Sequence, residues 1–240
     1  MINSFQIDGH DFIRVICTSC GAMHDVPVYC GNRFCRICMV PRMSRVKRRL
    51  KFLIDNCYKP KGSSLKHLVL TLPNQSNLCI MLKKITQAFR KLRNRKLWKE
   101  RVVGGAYTIE VTNIGNGWHV HLHVIMQSYY IDWQLLLAAW RKCSGGGQHI
   151  HISQIDASTG ASYLAKYITK GIEVDGLEFE AGRELKAYRL FSPIGDWYKL
   201  SSKFVDIPKP CSSCGAERSV YPADLVYAYM HGGSNLRGFG

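Results

Sequence analysis

The plainest patterning of hydrophobic and polar positions lies in the middle of the chain. Residues 67–72 (HLVLTL) form a β-rich run that Pro73-Asn74 stops. Beyond it, Leu78, Met81, Leu82, Ile85, Phe89 and Leu92 recur at helical spacing, which predicts a helix from Leu78 to about Trp98. Its opposite face carries Lys83, Lys84, Arg90, Lys91, Arg93 and Arg95. Residues 106–112 and 118–126 alternate as strands, and Gly115-Asn116-Gly117 between them predicts a hairpin. Asp132 caps a helix to about Lys142, 149–155 reads as another strand, and Ser158 caps a helix over 163–170. The fold class is α+β: an antiparallel sheet with helices on one face. The chain divides into a Cys- and Arg-rich module at 10–50, a core at 64–172 and an extension at 173–240. No internal repeat emerges.

The second strand of the hairpin carries the candidate chemistry. Side chains alternate along a strand, so His119, His121 and His123 share one face, and Val120, Leu122, Val124 and Met126 share the other. In the preceding strand Tyr107, Ile109 and Val111 form the apolar side, and Thr108, Glu110 and Thr112 the polar one. A four-residue loop at 114–117 pairs Glu110 with His121, whereas a five-residue loop puts it opposite Val120. Amphipathicity selects the four-residue loop. Two imidazoles and a carboxylate (Glu110, His121 and His123, with His119 as a further candidate) leave coordination positions open on Mg²⁺ or Mn²⁺ for phosphate oxygens. The second His-x-His, His149-Ile150-His151, has no comparable carboxylate strand before it and reads as a surface strand.

Downstream, Tyr163, Lys166, Tyr167 and Lys170 fall on one helix face. Two phenols one turn apart between two ammonium groups suit attack of a tyrosyl oxygen on a phosphodiester, with lysine offsetting charge. A phenol has a pKa of ~10, so the metal and the lysines must make it reactive at neutral pH.

Three motifs now stand in order: Leu70-Thr71-Leu72-Pro73-Asn74, His121-Leu122-His123-Val124, and Tyr163-Leu164-Ala165-Lys166-Tyr167-Ile168-Thr169-Lys170. In these the chain resembles the HUH endonucleases, and among them the two-tyrosine initiators of rolling-circle replication in phages and plasmids. The resemblance implies an RRM-like sheet with the metal at its centre and nicking of single-stranded DNA at a replication origin. It also implies a 5′-phosphotyrosine, a free 3′-OH, and host helicase and polymerase as partners. Some plasmid initiators carry Glu four residues before the first tyrosine; Thr159 holds that position here, which favours the two-tyrosine scheme. A transposase or relaxase-like strand transferase shares this chemistry. A zinc-stabilised, non-catalytic nucleic-acid-binding regulator is the alternative from another class.

Composition fits that picture. The formal net charge of +16, from 33 Lys+Arg against 17 Asp+Glu, attracts polyanions. Arg42, Arg45, Arg48, Arg49, Lys84, Arg90 and Arg93 are the candidate phosphate contacts. No apolar run approaches the ~20 residues of a membrane span, and residues 1–10 lack a signal-peptide layout, so the expected location is the cytoplasm of a bacterial host. Of 10 cysteines, Cys17, Cys20, Cys35, Cys38, Cys211 and Cys214 fall in C-x-x-C pairs, which suits structural zinc better than disulfides. With Cys30 and His24 they make eight candidate ligands, enough for two tetrahedral sites whose pairing spacing does not fix.

Overall fold

The computed structural model describes residues 3–7, 10–17, 19–28, 36–147, 149–158, 177–206 and 210–216. The tyrosine helix expected at 163–170, with Tyr163, Lys166, Tyr167 and Lys170, lies outside the described residues, as do Cys30 and Cys35. The chain forms two units: Met1–Cys38 together with Asp206–Gly240, and Met39–Val205.

In the first unit, β1 (Asn3–Ile7), β2 (His10–Ile16) and β3 (Met23–Pro27) make an antiparallel sheet in chain order. A long helix, α1, spans Arg36–Asn56.

The second unit continues with β4 (Ser64–Thr71), α2 (Leu78–Arg93), α3 (Lys96–Arg101), β5 (Val102–Thr112), β6 (His119–Ser128), α4 (Trp133–Ser144) and β7 (Ile150–Gln154). It closes with α5 (Glu178–Leu185), β8 (Ser192–Gly195) and α6 (Asp196–Ser201). The sheet order is β7-β4-β6-β5-β8, and every neighbouring pair is antiparallel. Asn77 starts α2 by accepting the Ile80 N–H at 2.9 Å, and the apolar stripe from Leu78 to Leu92 is buried as expected. The single helix expected to reach Trp98 is instead two. At Asn94 the backbone N–H turns back to the Lys91 carbonyl, and Arg95 is extended, so α3 begins afresh.

Register fixes the two faces of the sheet. Leu68, Leu70, Leu122, Val124 and Ile109 lie on one face, and their side chains are buried. On the other, Val69 pairs with His123 and with His151, Thr71 with His121, and His121 with Glu110. Ala106 and Ile125 belong to this second face by alternation. They join a core with Leu50, Leu53 and Ile54 of α1, Phe191, and Trp197 of α6. Helical cover on one face only was the expectation; α1 and α6 in fact cover one end of the histidine face too. The apolar positions that carry this cover, Ala106 and Ile125, continue the same alternation as Glu110 and His123. The imidazoles therefore sit at the other end of a face that is part core and part site. No described helix is long and apolar enough to cross a membrane.

Candidate metal centre

The turn at 113–118 sets the register. Asn113 Oδ1 accepts the Gly115 N–H at 3.1 Å, and Gly115 and Gly117 take φ of 94° and 81°, which an L side chain rarely adopts. Glu110 consequently pairs with His121, Thr108 with His123, and Thr112 with His119. This is the four-residue-loop register that amphipathicity selects.

Ligand atoms of Glu110, His121 and His123 all lie within 4.8 Å of one another. Glu110 Oε2 is 2.7 Å from His123 Nε2, and both residues are buried, at 9% and 3% exposure. The His121 and His123 rings stack at 9° with centroids 5.8 Å apart. His119 Nδ1 is 3.2 Å from His121 Nε2, so it touches the cluster from its outer end without joining the trio. Burial lowers the His119 pKa, His149 adds to that, and Glu110 opposes it.

The sequence reading overlooked His67. Its ring lies parallel to that of His123, at 2° with centroids 5.3 Å apart, and its Nε2 is 3.1 Å from His123 Nδ1. Burial first, then repulsion from His123 and His151, pushes His67 down to about 3, so it is neutral near pH 7. The available signal was its place two residues before Val69 and four before Thr71, on the face that meets the histidine strand. His151 is exposed, as a surface strand residue is.

The cysteines sort themselves in the first unit. Cys17, Cys20, Cys211 and Cys214 come together with all sulfurs within 4.8 Å, and His24 Nε2 is 3.3 Å from Cys211 Sγ. Backbone N–H groups of Ser213 and Cys214 pull the Cys211 thiol down to about 5, and His24 and Cys17 add to the effect. Cys38 stands apart from them: its buried Sγ is 2.9 Å from His10 Nε2, a neighbour that C-x-x-C spacing does not reveal.

The basic residues divide between surface and scaffold. Arg45 is exposed, whereas Arg48 donates to Ser44 Oγ at 2.8 Å and Arg49 donates from Nε to Ser201 Oγ at 2.7 Å. Arg42 is half-buried, and desolvation lowers its pKa to about 10. On α2, Lys84 is half-buried, and Arg90 and Arg93 line a cavity of about 330 Å³ with Lys99. The Arg93 guanidinium lies over the Phe89 ring at 5.2 Å.

A family model described as "Replication protein" (Rep_1) matches residues 23–142, half of the chain and all of the β5–β6 hairpin. The chain belongs to this family. It is also 29% identical over 123 residues to "Protein rep" of Streptococcus pneumoniae serotype 2 (strain D39 / NCTC 7466). That match takes in 48% of the present chain and 38% of the pneumococcal protein, well under two thirds of the relative's length. No solved structure matches. Glu110, His121 and His123 fall inside the family match; Tyr163 and Tyr167 lie beyond it.

Proposed function

We propose that the chain initiates rolling-circle replication as an HUH endonuclease of the two-tyrosine type, nicking single-stranded origin DNA. The observation that carries this is the convergence of Glu110, His121 and His123 on adjacent central strands of a replication-family chain. The succession β4-α2-α3-β5-β6-α4-β7, with spatial order β7-β4-β6-β5, supports an RRM-like reading of the sheet.

Two imidazoles and a carboxylate this close suit Mg²⁺ or Mn²⁺, with the remaining positions open to phosphate oxygens. Bound there, the ion supplies Lewis-acid polarisation of the scissile phosphate. Glu110 and His123 are held from both sides: by each other at 2.7 Å, and by His67 behind His123 at 3.1 Å. His123 would hold the ion through Nε2, which would leave its Nδ1–H to donate to neutral His67 Nε2 and so fix its tautomer and ring plane.

Tyr163 is the proposed nucleophile. Its oxygen bonds to phosphorus as the phenol gives up its proton. The P–O3′ bond breaks, and the departing 3′ oxygen takes up a proton to become the primer hydroxyl for a host polymerase. The 5′ phosphate stays on Tyr163. Lys166 and Lys170 offset charge on the phosphate, and Tyr167 performs the second transfer that releases a closed circle.

Incubation of the protein with origin DNA and Mn²⁺ tests the reading. His121→Ala and His123→Ala should each lower cleavage at least ~100-fold while retaining DNA binding, and each should weaken Mn²⁺ binding measured by electron paramagnetic resonance. Undiminished cleavage by the double variant would remove the metal assignment. Tight origin binding with no cleavage by the parent would instead identify a non-catalytic regulator.

A further inference from the structure

The hexapeptides Cys17-Thr18-Ser19-Cys20-Gly21-Ala22 and Cys211-Ser212-Ser213-Cys214-Gly215-Ala216 differ at one position. The chain thus carries an internal repeat after all, of six residues, too short to show as a repeated element. The two turns are closed by the same backbone hydrogen bonds. Cys17 N–H donates to Ala22 O and Cys211 N–H to Ala216 O, both at 2.8 Å. Gly21 N–H donates to Cys17 O and Gly215 N–H to Cys211 O, again both at 2.8 Å. The glycines have φ of 72° and 71°, the left-handed conformation that lets the chain turn back beneath the two sulfurs.

The two turns face each other through their sulfurs. Cys17 Sγ is 3.8 Å from Cys214 Sγ, and Cys20 Sγ is 3.8 Å from Cys211 Sγ. A disulfide needs ~2.05 Å, so these pairs are not bridged. A tetrahedron of sulfurs at the usual Zn–S distance of ~2.3 Å has edges of about 3.8 Å. The spacing between the turns is thus the spacing that a zinc tetrathiolate requires.

We propose that Cys17, Cys20, Cys211 and Cys214 form one structural Zn²⁺ centre that clasps the β2–β3 turn to the 210–216 segment, cysteines 191 residues apart in the case of Cys20 and Cys211. His24 is not a ligand. Its Nε2 at 3.3 Å from Cys211 Sγ is an N–H···S donor that disperses charge on a centre carrying four thiolates against one dication. The four cysteines lie outside the stretch that matches the replication family, and the inference does not rest on the nickase reading.

Thiol labelling of the intact chain with iodoacetamide, read by peptide mass spectrometry, tests this without any variant. Cys214 is exposed and as a free thiol would alkylate readily. The expected result is protection of all four cysteines, then their release as a set on adding a zinc chelator, with one zinc freed per set. His24→Gln should leave the set protected. Alkylation of Cys214 before chelation, or a disulfide mapped through any of the four, would overturn the centre. Exposure of a single cysteine in His24→Gln would overturn the role given to His24.

Discussion

Single residues of the candidate centre make separable contributions. His67 touches no substrate in the proposed reaction; it positions His123 through the 3.1 Å Nε2–Nδ1 contact. His67→Ala should therefore lower Mn²⁺ affinity about 10–100-fold, with cleavage recovering at high Mn²⁺. Resonance titration against cleavage rate at each metal concentration checks this, and affinity unchanged from the parent would reduce His67 to packing. Glu110 and His121 were legible because both strands alternate cleanly and the turn length allows one amphipathic register. His67 was not, because the β4 run reads as hydrophobic and a lone imidazole at its start carries no periodic signal. Its meaning appears only when Val69 and Thr71 pair with His123 and His121. The same holds for His10, which meets Cys38 across 28 residues of chain.

Elements followed local rules where the rules were strong. Asp132 caps α4 as expected, accepting the Leu135 N–H at 2.9 Å, and Asp132→Ala should cost about 1 kcal/mol. A second substitution probes the hairpin that carries the site. A Cβ on Gly105 would lie 2.4 Å from the Ile125 carbonyl oxygen on β6 and 3.0 Å from the Met126 Cα. Both neighbours are backbone, so Gly105→Ala must push β5 from β6 and should cost about 1–3 kcal/mol. Urea midpoints of the two variants check the order: the glycine change should lower stability more than the cap change, and the reverse would contradict the close strand packing. The break between α2 and α3 was illegible because Lys, Leu and Arg around Asn94 all favour helix; only the extended Arg95 backbone reveals it. Cover of the histidine face by α1 gathers into one core residues more than 50 positions apart, Leu53 and Ala106 among them, which no local pattern encodes.

At the scale of the whole molecule, charge and chemistry act together. A net charge of +16 favours phosphate contact of any sequence, so under the proposed function affinity for single-stranded DNA should fall steeply as salt rises, by about 0.7 log units per log unit of salt for each contact. Fluorescence anisotropy across a salt series checks this, and a flat response would mean that the basic residues face only solvent. The central claim, a tyrosine transesterification assisted by the Glu110, His121 and His123 cluster, has a more direct test. Labelled origin DNA is incubated with the protein and Mn²⁺, the products are run on a denaturing gel, and the adducted peptide is mapped. The account predicts a covalent 5′ adduct on the peptide holding Tyr163, absent from Tyr163→Phe and from His123→Ala, while Tyr167→Phe forms the first adduct but releases fewer closed circles. DNA cut with no protein attached, or an adduct that persists when Tyr163 and Tyr167 are both phenylalanine, would contradict it.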